Sequence, residues 1–356
     1  MAVTQGADVL ERMVTVVNHG WLALVLSLGE RTGLHEALRD NPEEAGVIAA
    51  RAGCDERYTE IWLWAMVAGG FVAASGNAAD GYRFALCAGA GDVLTARGGP
   101  LHWARITEQI TAFAALEDEL VTAFAAGTGL PAARYEGRIT DVLAAESAPI
   151  FERTVLAEVF PRFGLDRLAD GGALVADLGC GSGELLCLLA GRFPRSDFTG
   201  VDQSPDAIAR AAARARAAGL GNVRFAVADL EDELDVSRQD LVIAANVVHD
   251  MADPAGFFAR VRGRLRPGGT FYLHELSSDD DMAVNAANPH AIGILAFSLY
   301  HCLPLAKRRP GLAPGGMFGT GRYVAWLEAA GFADVRVFQA PSDPTNDTVI
   351  ARLKES

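Results

Sequence analysis

The sequence predicts an α/β protein: a parallel sheet covered by helices, preceded by a smaller, mostly helical module. Three observations carry this. From Asp166 onward, short apolar runs alternate with helical patterns, as strands and crossover helices do. One such run, Leu174–Leu178, ends in the glycine-rich turn Asp177-Leu178-Gly179-Cys180-Gly181-Ser182-Gly183, and a helical pattern begins at Glu184. Acids then fall at successive strand ends, at Asp177, Asp202 and Asp229. At 356 residues the chain has room for two domains, and half of it is hydrophobic, enough for a sizeable core.

Taken in order, Asp8–Leu38 reads as two helices. Val9, Met13, Val16 and Val17 share one face, and the segment Trp21–Leu28 is apolar nearly all round. A helix so apolar needs cover, from a core or from a second chain. Pro42–Leu86 has the pattern of a small winged helix. Pro42 starts a helix after Asn41, Gly53 ends it, and Asp55–Val67 forms the second. Phe71–Ala74 and Tyr82–Leu86 flank a Ser75-Gly76-Asn77 turn, as in a hairpin wing. Across Asn41–Thr95 seven acids face three bases, a poor balance for binding DNA, so the module reads as a dimerisation element. This sets the expected domains at 1–99, a helical connector at 100–165, and the α/β domain at 166–356. The connector carries helices Leu101–Phe124, Arg134–Ala145 and Ala148–Phe163, with Trp103, Phe113 and Phe124 read as core that could roof a pocket.

In the α/β domain, strands are expected at 173–178, 198–201, 223–227, 240–245 and 269–276. Helices are expected at 184–193, 205–218 and 254–265. A long helix Ala287–Leu303, a helix Thr320–Ala330 and a hairpin of 333–340 and 347–353 close the chain.

Composition bounds the partners. The net charge of −14 argues against nucleic acid and anionic membranes. The five cysteines are odd in number and contain no C-x-x-C pair, so neither a disulfide framework nor a thiolate metal site is expected, and a reducing cytoplasm is. No signal peptide pattern is visible, and Trp21–Leu28 is too short an apolar run to span a bilayer.

The glycine turn sets the chemistry. Its alternate glycines let the backbone approach a ligand with no Cβ in the way. The amides of the following helix start then face that ligand. Asp202, beside Gln203, lies where an acid meets ribose hydroxyls. Asp177, two residues before the first glycine, is placed to hold an amino group, which a dinucleotide site does not require. The fourth strand ends in Asn246-Val247-Val248-His249-Asp250, beside the glycine turn.

This D-x-G-x-G-x-G pattern, with Asp202 and Asp229-Leu230 downstream, resembles the S-adenosylmethionine (SAM) pocket of class I methyltransferases. With the N-terminal module and the later Gly315-Gly316, Thr320 and Gly331-Phe332, the chain resembles the SAM-dependent O-methyltransferase-like family over nearly its whole length. The resemblance implies an α-rich winged-helix dimerisation domain, a homodimer and a Rossmann-like domain. It places Asp177, Gly179, Gly181, Gly183, Asp202, Gln203, Asp229, Leu230 and Asn246 around SAM. In the phenol O-methyltransferases a His-Asp pair at this place supplies the general base, which here would be His249.

His301, 52 residues after His249, adds a second similarity. The set looks like that of the metal-containing α-keto acid C-methyltransferases of peptide antibiotic biosynthesis, where a His-Asp pair and a later His hold an ion. Carried over, His249, Asp250 and His301 bind one iron or zinc ion, and ligand type does not choose between the two. The substrate is then a 2-oxo acid of the phenylpyruvate, indolepyruvate or branched-chain type, methylated at its β-carbon. Arg134 or Arg138 would help hold its carboxylate. His290 stands about 16 Å from His301 along the helix, too far to share an ion, and with His102 and His274 is read as structural. Metal-assisted C-methylation and metal-free phenol O-methylation both stand.

Overall fold

The computed structural model describes residues 6–99, 103–232 and 236–354. It divides into two compact units between Ala115 and Leu116.

In the first unit the expected helix pair is unequal. Gly6–Thr32 is one long helix, ended by Gly33 at φ 73°, and only Leu34–Ala37 follows. Val9, Leu10, Met13, Val16, Val17 and Trp21 of the long helix are exposed within one chain. Residues Asp8–Thr32 are, by length and composition alone, long and apolar enough to cross a membrane, although the run Trp21–Leu28 within them is not. The C-terminal half of this helix is engaged inside the unit. Trp62 Nε1 donates to the Val25 carbonyl at 2.9 Å, and the Ser27 hydroxyl meets that of Thr111 at 3.0 Å.

The winged-helix pattern follows, with two shifts. The first helix is Ala45–Ala52, because Glu43–Glu44 pair as a short strand with Arg83–Phe84. Pro42 therefore precedes a strand rather than opening a helix. The second helix, Glu56–Ala68, is capped by the Asp55 carboxylate, which accepts from the Tyr58 amide at 3.0 Å. The wing strands are Val72–Asn77 and Gly81–Leu86. The turn lies beyond Asn77, whose side-chain oxygen accepts from the amides of Ala79 and Asp80. Ile48, Leu63, Met66 and Phe84 form this unit's core. The expected single helix Leu101–Phe124 is broken in two. Trp103–Ala114 packs in the first unit, and Glu117–Ala126 belongs to the second. Phe113 is core as expected, whereas Trp103 and Phe124 are exposed. His102 lies outside the described residues.

The second unit is built on a seven-stranded sheet. Its strands are β1 (Leu174–Leu178), β2 (Asp197–Asp202), β3 (Val223–Val227), β4 (Gln239–Ala245), β5 (Leu265–Leu276), β6 (Ala333–Phe338) and β7 (Asn346–Arg352). The spatial order is β3-β2-β1-β4-β5-β7-β6, parallel except for the antiparallel β7. Both faces are covered, so the central strands read as continuous apolar runs. In β5, Phe271 and Leu273 enter the core under helices Pro254–Gly263 and Thr320–Ala329, while Tyr272 enters the opposite core with Leu186 and Leu189. The strand order reverses between β1 and β4, and in such sheets a ligand crevice opens beyond the carboxyl ends at that point.

Two helical segments differ from expectation near that crevice. Arg138–Ile150 runs on through wide π-type turns, Phe151–Val159, into Phe160–Phe163, with Pro149 inside. A proline removes one backbone donor, and wider turns absorb the mismatch. The expected helix 287–303 starts later. His290 caps Ala291–Phe297, and a π-type turn, Ser298–Cys302, leads into Leu303–Ala306. Pro304 cannot donate to the Tyr300 carbonyl, which accepts instead from the Tyr135 hydroxyl at 2.9 Å.

Candidate active site

A cavity of about 430 Å³ opens at the carboxyl ends of β1, β2 and β4. Gly179 and Gly181 line it, at φ 83° and 53°. A Cβ on Gly179 would sit 2.3 Å from Val247 Cγ2, so the turn admits no larger residue there. The turn is fixed from β2. The amides of Gly179 and Cys180 donate to the Val201 carbonyl at 2.7 and 3.1 Å. Asp202 accepts from the amide of Gly181 through one oxygen and of Ser204 through the other, both at 2.9 Å. Gln203, Asp229, Leu230 and Asn246 complete this end of the wall.

Asp177 and Gly183 are buried and do not line the cavity. Asp177 is buried with one oxygen lacking a hydrogen bond. Burial first, then Asp202 and Glu184, raise its carboxyl to about 7. A carboxyl raised in the fold contributes stability that is lost as pH rises from its ordinary 3.8 through about 7. Asp177→Asn removes that dependence. Relative to wild type the variant should gain about 1.4 kcal/mol per pH unit across this window, then level off. Denaturant melts at stepped pH measure this, and parallel wild-type and variant curves would refute it.

On the other side, β4 runs into a short turn, Val248–Asp250, that carries the predicted histidine and acid. Sequence reasoning missed what holds them. Glu275, at the end of β5, is buried. One of its oxygens accepts from the amides of Val247 and Val248 at 3.0 and 2.6 Å, and the other takes Nδ1 of His249 in a short hydrogen bond. His249 Nε2 then faces Asp250 Oδ1 at 3.4 Å. Burial opposes charge on the His249 ring, but Glu275 and Asp250 outweigh it and hold its pKa well above the ordinary value.

His301 enters the same wall. Its Nδ1 stands 3.8 Å from Asp250 Oδ2, so one carboxylate lies between the two imidazoles. Its ring is held edge-on to Tyr135 at 4.8 Å and beside Phe297 at 5.2 Å. Burial, with the neighbouring His249, lowers its pKa, and Asp250 opposes this.

The remaining site residues sort differently from expectation. Arg134 is half exposed, paired with Glu119 at 2.8 Å, and does not line the cavity; neither does Arg138. Among the described residues the arginine that lines it is Arg308, already engaged by Asp229 at 3.3 Å and Glu231 at 3.4 Å. Seven lining carboxylates face that single guanidinium. His274 is structural, paired from β5 with Asp343 in the segment before β7 at 3.2 Å.

The comparisons agree with this architecture. A family described as a methyltransferase domain matches residues 169–311, and an Rv2258c-like winged HTH domain matches residues 20–95. The trans-aconitate 2-methyltransferase of Methylobacterium radiotolerans is 31% identical over 194 residues, covering 48% of this chain and 72% of that protein. The chain belongs to the SAM-dependent methyltransferases. The corresponding enzyme of an Acidovorax species is 39% identical over 153 residues, and there the match spans 57% of its length and 38% of this chain. Whole-chain likeness is to solved O-methyltransferase structures. One is an O-methyltransferase family protein from Burkholderia thailandensis, with TM-score 0.68, 18% identity and full coverage of both chains. Another is mitomycin 7-O-methyltransferase, with TM-score 0.70, 18% identity, and 97% of this chain and 98% of that one covered. At such identity they establish the methyltransferase's fold, an α/β Rossmann-like domain that follows a winged-helix domain in the chain.

The site also bears on a metal ion. A ligating imidazole commonly donates its other nitrogen to a carboxylate, as His249 does to Glu275. Asp250 Oδ1 is buried with no hydrogen-bond partner, and two rings converge on its carboxylate. These donors fit a transition-metal ion.

Proposed function

We propose that this methyltransferase methylates the β-carbon of a 2-oxo acid, of the phenylpyruvate, indolepyruvate or branched-chain type, to give a β-methyl amino acid precursor. One ion would be held by His249, Asp250 and His301. The observation that carries the reading is the Asp250 carboxylate set between two imidazoles, at 3.4 and 3.8 Å, on the cavity wall. Electrostatics supports it. Among the described residues, an anionic acid entering this wall meets seven carboxylates and an Arg308 already engaged, a setting in which a bound cation would help hold it.

When bound, the ion supplies Lewis-acid stabilisation to the acidified β-carbon and SAM supplies the electrophilic methyl group. The chain does the rest. Glu275 fixes the proton of His249 on Nδ1, leaving Nε2 to face the cavity. Tyr135 and Phe297 hold the His301 ring and exclude water. Gly179, Gly181, Asp202, Gln203, Asp229, Leu230 and Asn246 shape the SAM end.

One observation favours a second reading, O-methylation of a phenol. The Glu275–His249 pair is also a base with a fixed tautomer. Metal analysis separates the two. Purified enzyme should carry about one iron or zinc ion per chain. His301→Ala should lose the ion and, with it, turnover of 2-oxo acids. A metal-free enzyme that is fully active on phenols would leave only the second reading.

A further inference from the structure

We propose that Cys302 is a further protein donor to this ion, a soft ligand that favours a transition-metal ion over Mg²⁺ or Ca²⁺. The inference rests on the metal reading of function above.

Cys302 Sγ, a ring nitrogen of His249 and an oxygen of Asp250 all lie within 4.8 Å of one another. Donors about 2.0–2.3 Å from one ion lie about 3–4 Å apart, so small side-chain shifts bring all three into range. The thiol is fully buried, facing His249 and Asp250. The chain path explains why His301 and Cys302, adjacent in sequence, both reach Asp250. In an α-helix neighbouring side chains diverge by about 100°. Here both lie in the wide turn before Pro304, which is tied down by Tyr135 through the Tyr300 carbonyl.

On ligation the thiol passes its proton to solvent and binds as thiolate, with no change of oxidation state. Two imidazoles, a carboxylate and a thiolate select against hard cations.

Cobalt(II) titration of the metal-free full chain, without oxygen, reads this directly. Wild type should gain visible d–d bands together with a near-ultraviolet thiolate-to-cobalt band, both unaffected by excess Mg²⁺. Cys302→Ser should lose the near-ultraviolet band and keep the visible ones; His301→Gln should keep the near-ultraviolet band. Visible bands without the near-ultraviolet band in wild type, or a near-ultraviolet band that survives in Cys302→Ser, would overturn the Cys302 assignment and leave the metal reading intact. No bands in wild type would overturn both.

Discussion

His249→Gln should lower turnover by about 10²–10⁴-fold while leaving SAM affinity within a factor of about two. Nε2 is the nitrogen at stake. Nδ1 is committed to Glu275, so Nε2 alone can hold an ion or take a proton from a hydroxyl. Either role is needed near the transition state and not for holding SAM at the proposed glycine-turn end of the cavity. The loss should therefore fall on kcat. Steady-state kinetics with calorimetric SAM binding checks this, and a kcat within tenfold of wild type would remove His249 from the chemistry. Glutamine is preferred to alanine because it fills part of the buried space.

Glu275→Ala should cost about 3–5 kcal/mol of stability, read as a lowered denaturation midpoint. Glu275 is buried and serves three donors: two backbone amides and the His249 ring. Removing it leaves those amides unpaired and strips the buried His249 ring of its hydrogen-bond partner. Glu275→Gln separates structure from function. Its amide oxygen still serves Val247 and Val248, so most stability should return. Turnover should stay low, because a neutral amide neither fixes the tautomer of His249 nor supports its basicity. Full activity in Glu275→Gln would show that Glu275 only builds the loop.

Much of this was legible in the chain. The glycine turn and the acids at strand ends located the crevice because a parallel sheet places every strand's carboxyl end on one side. The convergence of His249, Asp250 and His301 could be expected only from family likeness, since no local period links residues 52 apart. Glu275 was missed although it is one more acid at a strand end, in the run Phe271–Leu276. It was hidden by the apolar signal of that run. Cys302 was passed over because cysteine spacing looks for pairs, whereas here the thiol meets His249 and Asp250, groups from another strand end. Arg134 and Arg138 looked like substrate anchors at helical spacing, but their segment is set by the turn before Gly137, and Arg134 meets Glu119 instead. Exposure was the least readable property. Trp103 and Phe124 have core-like spacing yet face outward, because a period describes a helix face and not what lies opposite it.

The carboxylate-rich wall also bears on how a cycle ends. The methyl donor arrives with a positive sulfur and leaves as a neutral thioether. Seven negative groups within one crevice attract the first more than the second. The spent donor is thus favoured to depart and a fresh one to replace it, and product inhibition should deepen as added salt screens that preference.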